Sequence, residues 1–506
     1  MSAQVRSAFS LLLIFLLIST ACKRHKHPEP EAVDPIDRRS NLPMAEPIQR
    51  DLEEIKQRGM LVVLAPYNST TYFLYRGEPL GYEFELLQTF AKEHGMGLKM
   101  IVVTDPKSLF PLLNGGEGDI VANRLIPTEE DKQYVSFTHA LYRTEPALVQ
   151  QAEPPSEAGG PAAQKALQPG PADDLPEIDI QARLITKPAQ LAGQTVHLPE
   201  QSPYRRTLLE LSDSISGDIH IVETNGEIQD EALAQKVAKG EVDFTVMQSN
   251  LADLKEAEFK NLRVRPIIGR SHSVAWGVRK NAPDLMNELN NWIEEKQNGV
   301  LFDRLYKKYF IDRRSYKERV ESEYLTSSTG KLCEYDPLLK RYATDLNWDW
   351  RLLASQAFQE SRFKADAHSW AGATGLLQLM PRTAQEYGVT NARDPEDNVR
   401  GAVRFLAWLQ DYWSTRIPNV DERIKFVLAS YNCGAGHVED ARRLTEKYGG
   451  NPVSWEDVSY WLLQKSTQQF YTDPVVKFGF CRGIEPVNYV QLILERFDHY
   501  KQFVIS

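Results

Sequence analysis

Apolar positions follow one rhythm in the first part of this chain and another in its last third. Residues 60–67, MLVVLAPY, form a continuous apolar run of strand length. Residues 82–94 place Phe84, Leu87, Phe90 and Ala91 on one helical face, and Gly95 follows as a stop. LKMIVV at 98–103, a short helix in SLFPLLNGG and DIVANRL at 119–125 continue the alternation. Strand, helix, strand, helix, strand predicts a parallel sheet with helical crossovers. The scheme recurs in TVHLP at 195–199, YRRTLLELS, IHIVET, DEALAQKVAKG and DFTVMQ, and a return strand and two helices close it between Trp276 and Phe310. From residue 331 onward the spacing is helical. Asn347 is read as the N-cap of a helix that carries Leu353, Ala357 and Glu360 along one face. Pro381 fits the first turn of the next helix and Gly388 its end. A third helix over 394–413 has Val399, Ala402, Val403, Leu406 and Leu409 as its stripe. A fourth has Ile424, Val427, Leu428 and Tyr431 at i, i+3, i+4 and i+7 and stops at Gly434.

Breaks in composition divide these elements. Residues 22–45 are polar, with four prolines, and read as a tether. Residues 151–180 are rich in Pro, Ala and Gly, with few large apolar side chains, and read as a disordered insertion. A charged stretch at 312–330 reads as a linker. The folded pieces expected are 46–150, 181–311 and 331–506, the first two together forming one region, 46–311. Apolar content of 42% and charged content of 25% are those of ordinary globular protein. A net charge of −10 argues against nucleic acid as partner. Histidines are scattered and cysteines unclustered, so no metal site is expected.

The N-terminus adds a targeting signal. Arg6 precedes an apolar run from Ala8 to Ile18, and Ser19, Thr20 and Ala21 lead into Cys22. The run is too short to span a bilayer, which takes ~20 residues. LISTAC resembles the end of a bacterial lipoprotein signal, cleaved after residue 21, with Cys22 then carrying lipid. Lys23 follows the cysteine. In enteric-type lipoproteins an aspartate there favours inner-membrane retention, so the resemblance implies an outer-membrane anchor facing the periplasm. Three further cysteines, Cys333, Cys433 and Cys481, would sit where disulfides are permitted, and the sequence leaves their pairing open.

RGMLVVLAP, the 81–86 stretch, Glu117-Gly118-Asp119, KGEVDF at 239–244 and the WGVRK…LYKKYF end resemble, in order, the periplasmic solute-binding proteins of the amino-acid-binding type. The resemblance implies two α/β lobes that close on a ligand between them. That family often carries T-x-x-R after its third strand, the arginine gripping a carboxylate. Here the stretch is Thr128-Glu129-Glu130-Asp131, and Asp131 would repel what arginine attracts. Arg124 on the preceding strand is a candidate replacement, but an arginine at a strand end is read first as a surface charge. A peptide-like or muropeptide ligand, another small solute, or none is left open.

The helical part contains E-S-x-F at 360–363, G-x-x-Q-L-M-P at 375–381, A-S-Y-N-x-G at 429–434 and E-P-V-N-Y-V at 485–490. In that order these resemble the soluble-lytic-transglycosylase type of murein lyase. The whole is thus expected to be a multi-domain chain: a two-lobed α/β region of periplasmic-binding-protein type, then an α-helical, lysozyme-like domain. The resemblance implies a lyase acting on peptidoglycan glycan strands without a cofactor, with Glu360 as its only catalytic carboxyl group. Ser361, Gln378, Met380, Tyr431, Asn432 and Tyr489 are the matching substrate-binding candidates. Phe358, Phe363, Met380 and Tyr431 offer the apolar setting that keeps such a glutamate protonated. Gln378 is weighed against a turn-stabilising role. Tyr431 and Tyr489 are weighed against core packing. Two other readings stay open: a hydrolase of goose-type lysozyme fold using Asp349 or Asp366 as second carboxylate, and a glycan receptor without catalysis.

Overall fold

The computed structural model describes residues 43–152, 184–215, 217–224 and 229–504. The expected signal, Cys22 and the insertion lie outside these residues, apart from the insertion's first two positions. So does most of the expected tether.

Strands β1 (Met60–Ala65), β4 (Gly97–Val102) and β5 (Ile120–Leu125) pair in parallel, β1 in the middle. Strand β13 (His272–Arg279) runs antiparallel to β5 and to β6 (Val135–Phe137) and β7 (Tyr142–Thr144), completing the first lobe. In the second lobe β9 (Thr195–Pro199) lies parallel between β10 (His220–Thr224) and β11 (Phe244–Gln248). Strand β8 (Pro146–Gln151) adds antiparallel to β11 and to β12 (Leu262–Arg263).

The two expected pieces are therefore not the two lobes. The first piece lends β8 to the second lobe, and β13 returns from the second piece to the first lobe. Both sheets are mixed rather than all-parallel. Local periodicity locates strands but says nothing about which distant strand each will pair with.

The stretch expected as a linker is helical over Arg313–Val320 and Thr326–Thr329. Tyr316 is fully buried there, and its hydroxyl donates to Glu258 Oε2 at 3.0 Å. An aromatic anchor with a satisfied hydroxyl turns a charged, linker-like sequence into packed structure.

The last region is all-helical. Its helices used below are α1 (Trp350–Ser361), α2 (Pro381–Glu386), α3 (Pro395–Ser414), α4 (Val420–Cys433), α5 (Ala435–Lys447), α6 (Trp455–Gln464) and α7 (Ile484–Phe503). One correction concerns the start of α1. Its N-cap is Asp349, which accepts from Arg351 N at 2.9 Å, not Asn347. Asn347 instead takes a left-handed conformation, φ 51°, that ends the preceding 3₁₀ turn, a conformation asparagine tolerates well.

A hairpin of the first lobe, β2 (Phe73–Tyr75) and β3 (Glu78–Leu80), docks on this helical region. Leu74 is fully buried within the helical core. At the hairpin turn Gly77 has φ 73°, and its carbonyl accepts from the Tyr500 hydroxyl at 2.7 Å. Nearby, Tyr72 hydrogen-bonds His499 Nδ1, Phe503 stacks on Tyr67 at 4.0 Å, and Gln502 bonds the backbone of β4. A Cβ on Gly77 would lie 2.5 Å from the Phe363 ring and 2.6 Å from the Tyr500 oxygen. Gly77→Ala should therefore cost about 1–3 kcal/mol, combining left-handed strain with overpacking. Urea unfolding of the full chain checks this, and an unchanged midpoint would mean the hairpin does not dock as described.

Candidate active site

Glu360 stands in the last turn of α1, and the chain turns sharply just beyond it. Arg362 and Phe363 both take left-handed conformations, with φ 53° and 61°. Two consecutive non-glycine residues there are strained and must be held by their surroundings. Phe363 is held by burial, packing edge-on against Phe358 at 5.5 Å. The next loop then folds back over the helix end. The Ser361 hydroxyl, itself buried, lies 2.8 Å from Leu376 O and 3.1 Å from Ala357 O, pinning loop to helix.

The loop over 374–380 is held from inside by α3. Asn398 is fully buried. Its Oδ1 accepts from Leu377 N at 2.9 Å, and its Nδ2 donates to Thr374 O and Ala392 O at 2.9 and 3.0 Å. Gly375, at φ 91°, sits so close that a Cβ would meet Ala392 O at 2.1 Å and Asn398 Nδ2 at 2.2 Å. Gln378, at φ 46°, donates its side-chain amide to Gly375 O (2.8 Å) and Ala367 O (3.0 Å). Its N–H groups are engaged within the loop, the turn-stabilising arrangement weighed above. Met380 at the loop's end is exposed, just before Pro381 opens α2.

Two tyrosines complete the setting. Tyr431 on α4 donates its hydroxyl to Leu377 O at 2.6 Å. Tyr489 on α7, buried, donates to Glu360 Oε1 at 2.5 Å and accepts from Gln356 Nε2 at 3.2 Å. Burial raises the Glu360 carboxyl from its ordinary 4.5 to about 7, the Tyr489 hydrogen bond pulling weakly the other way. Burial also raises both tyrosine hydroxyls far above their usual range, the Glu360 charge adding to it, so they stay protonated. Asn432, next to Tyr431, is exposed and lines a pocket of about 240 Å³.

The structure thus brings Glu360, Tyr489, Ser361 and Tyr431 around one helix end and one loop. Gln356 and Asn398 belong to the same framework and were missed. Gln356 offered a weak signal, lying one turn before Glu360 on the same helix face. Asn398 offered none, because its partners are backbone groups of a loop distant in sequence. The candidate second carboxylates are placed otherwise. Asp349 caps α1 and binds Arg351 through both its oxygens, while Asp366 is exposed in a turn.

Tyr489→Phe removes the one hydrogen bond that lowers the Glu360 carboxyl, so that group should titrate at still higher pH. We expect the alkaline limb of the activity profile to move to higher pH and the rate to fall about 10-fold. A slower enzyme with an unmoved limb would place Tyr489 in packing alone.

The cleft between the lobes corrects one expectation: Arg124 is buried, not a surface charge. Its guanidinium reaches Thr70 Oγ1 at 3.2 Å and, across the lobes, Glu231 Oε1 at 3.7 Å. Glu231 also accepts from Ser69 Oγ at 2.8 Å and pairs with Lys255 at 3.2 Å. The paired carboxylate offsets the cost of burying the arginine. Asp131 accepts from the Thr128 hydroxyl at 2.7 Å, a local turn contact.

Comparison with known proteins agrees with this two-part layout. The model of bacterial extracellular solute-binding proteins, family 3, matches residues 60–312, and that of the transglycosylase SLT domain matches residues 337–453. An ancestral amino acid-binding protein, a precursor of cyclohexadienyl dehydratase, is 21% identical with a TM-score of 0.39, over 51% of this chain and 98% of its own. The membrane-bound lytic murein transglycosylase F of Pseudomonas fluorescens is 30% identical over 451 residues, 88% of this chain and 86% of that protein. Its counterpart in Desulfosudis oleivorans is 31% identical over 463 residues, 90% of this chain and 92% of that protein. With identity sustained over both parts in the same order, this chain belongs to the membrane-bound lytic murein transglycosylase F family.

Proposed function

We propose that this chain is a peptidoglycan lyase that cleaves the β-1,4 bond between N-acetylmuramic acid and N-acetylglucosamine without water. The observation that carries the reading is the half-buried carboxyl of Glu360, hydrogen-bonded by a tyrosine that stays protonated and raised to about 7. A carboxyl group in that range gives up and takes back a proton near neutral pH. Glu360 first protonates the oxygen of the leaving sugar. The 2-acetamido oxygen of the muramic acid attacks its own anomeric carbon, as in substrate-assisted glycosidases. The Glu360 carboxylate then takes the proton of the sugar's 6-hydroxyl, which closes on the anomeric carbon and leaves a 1,6-anhydro end. The substrate supplies what a second protein carboxylate would otherwise do. Tyr489 orients Glu360. Tyr431, Asn432 and Met380 contact the glycan, while Ser361 and Gln378 act by shaping the loop.

Mass spectrometry of digested murein tests this directly. Anhydro ends are expected, and reducing ends would mean a hydrolase. The full chain is the right material, because Leu74 of the first lobe completes the core of the helical domain.

The two-lobed region is proposed to regulate cutting, with a muropeptide or other small solute in its cleft. What favours this is the hairpin turn at Gly77, packed against Phe363, three residues beyond Glu360. Muropeptides that bind yet leave the cleavage rate unchanged would end that idea. Among the described residues no helix is long and apolar enough to cross a membrane. Attachment is proposed through lipid on Cys22, at the outer membrane and facing the periplasm. A Cys22→Ala chain should leave the outer-membrane fraction, and its retention there would refute the anchor.

A further inference from the structure

Three cysteines were left unpaired by the sequence, and the fold treats them differently. Cys333 is buried with Asp336, its thiol 3.4 Å from Oδ1. Cys433 and Cys481 come together although α5 and α6 separate them in the chain. Both line the 240 Å³ pocket that Asn432 also faces. Cys433 is the last residue of α4, directly after Asn432. Cys481 lies just before α7, the helix that presents Tyr489 to Glu360. Cys433 is partly exposed and Cys481 buried.

Lys465, fully buried, bonds Asp440 Oδ2 at 2.7 Å and His437 Nδ1 at 2.9 Å. Its ammonium charge favours the thiolate form at both sulfurs, the form that thiol–disulfide exchange needs.

We propose that Cys433 and Cys481 form a disulfide that fastens the Asn432 end of α4 to the lead-in of α7. The oxidant is a disulfide of a donor, either a small dithiol-derived molecule or a protein. The partly exposed Cys433, as thiolate, attacks one donor sulfur, the donor S–S bond breaks, and one donor sulfur leaves as thiolate. The Cys481 thiol gives its proton to that thiolate, and its sulfur attacks Cys433 Sγ. The second donor sulfur departs as thiolate with the negative charge Cys433 brought. The chain is oxidised by two electrons and the donor reduced by two. The new bond closes a loop of about 50 residues around α5 and α6, which restricts the unfolded chain and both ends of the loop in the fold. It does not depend on which reaction Glu360 performs.

The test uses the full chain held in mixtures of oxidised and reduced glutathione, quenched by alkylation and mapped by peptide mass spectrometry. The expected result is a Cys433–Cys481 peptide pair lighter by two hydrogens in oxidising mixtures, with Cys333 alkylated after denaturation. Oxidation should also raise Tm by roughly 5–10 °C, a shift absent from Cys433→Ala and retained in Cys333→Ala. Alkylation of both thiols at every glutathione ratio, or linked peptides containing Cys333, would overturn the proposal. The mapping of the parent chain decides this even if a variant fails to fold.

Discussion

Glu360→Gln should lower the rate of murein cleavage by about 10²- to 10⁴-fold, toward the upper end of that range. The amide is nearly the same size as the carboxylic acid, so packing against Phe358 and the loop is kept. What disappears is proton transfer, and here one group performs it twice. It acts as acid toward the leaving oxygen and as base toward the 6-hydroxyl, with Asp349 capping a helix and Asp366 exposed in a turn. Binding of glycan should survive, since the candidate contacts lie on other residues. Single-turnover cleavage of purified murein, alongside sedimentation with insoluble murein, separates the two effects. A variant that cuts as fast as the parent would remove Glu360 from the chemistry and leave the receptor reading standing.

The same substitution should stabilise the protein at alkaline pH. Glu360 titrates at about 7 in the fold against an ordinary 4.5, because burial disfavours its charge. A carboxyl raised by folding favours the native state in its protonated form. That favour is fully present below pH 4.5 and is lost as pH rises through 7. The difference between the two values is worth about 3 kcal/mol. Gln has no charge to bury, and its carbonyl can still accept from Tyr489. The variant is thus expected to match the parent near pH 4 and to exceed it by up to ~3 kcal/mol near pH 8. Urea unfolding at the two pH values measures this. Equal stability at both would mean the carboxylate is better solvated than its burial implies. Taken with the first prediction, the site trades stability for a proton donor that works at neutral pH.

Several elements were legible because their causes are local. The 3.6-residue spacing of Ile424, Val427, Leu428 and Tyr431 located α4, and Gly434 its end. The continuous apolar runs located β1, β4 and β5. The four motifs around Glu360, Gly375, Tyr431 and Glu485 brought the family resemblance with them. The misplacements had causes that are not local. Asn347 and Asp349 are both good capping residues two positions apart, and only the course of the preceding turn selects Asp349. Arg124 looked like a surface charge because Glu231, its partner across the cleft, lies 107 residues later. The stretch 312–330 looked like a linker because the burial of Tyr316 depends on Glu258 and its neighbours.

The sequence by itself determined that an α/β region precedes a helical one and that a glutamate ends a helix beside a glycine-led loop. These are properties of spacing and of turn chemistry, carried within a few residues of each position. Only the tertiary structure decided that β8 and β13 exchange lobes, that the Gln378 amide serves its own loop, that Tyr489 is the hydroxyl on Glu360, and that Cys433 lies with Cys481. Apart from the Gln378 amide, whose partners Gly375 and Ala367 are near it in the chain, each of those depends on groups far apart in sequence meeting in the fold. Which groups meet there is set by the packing of the whole molecule, and so is the proton affinity of Glu360.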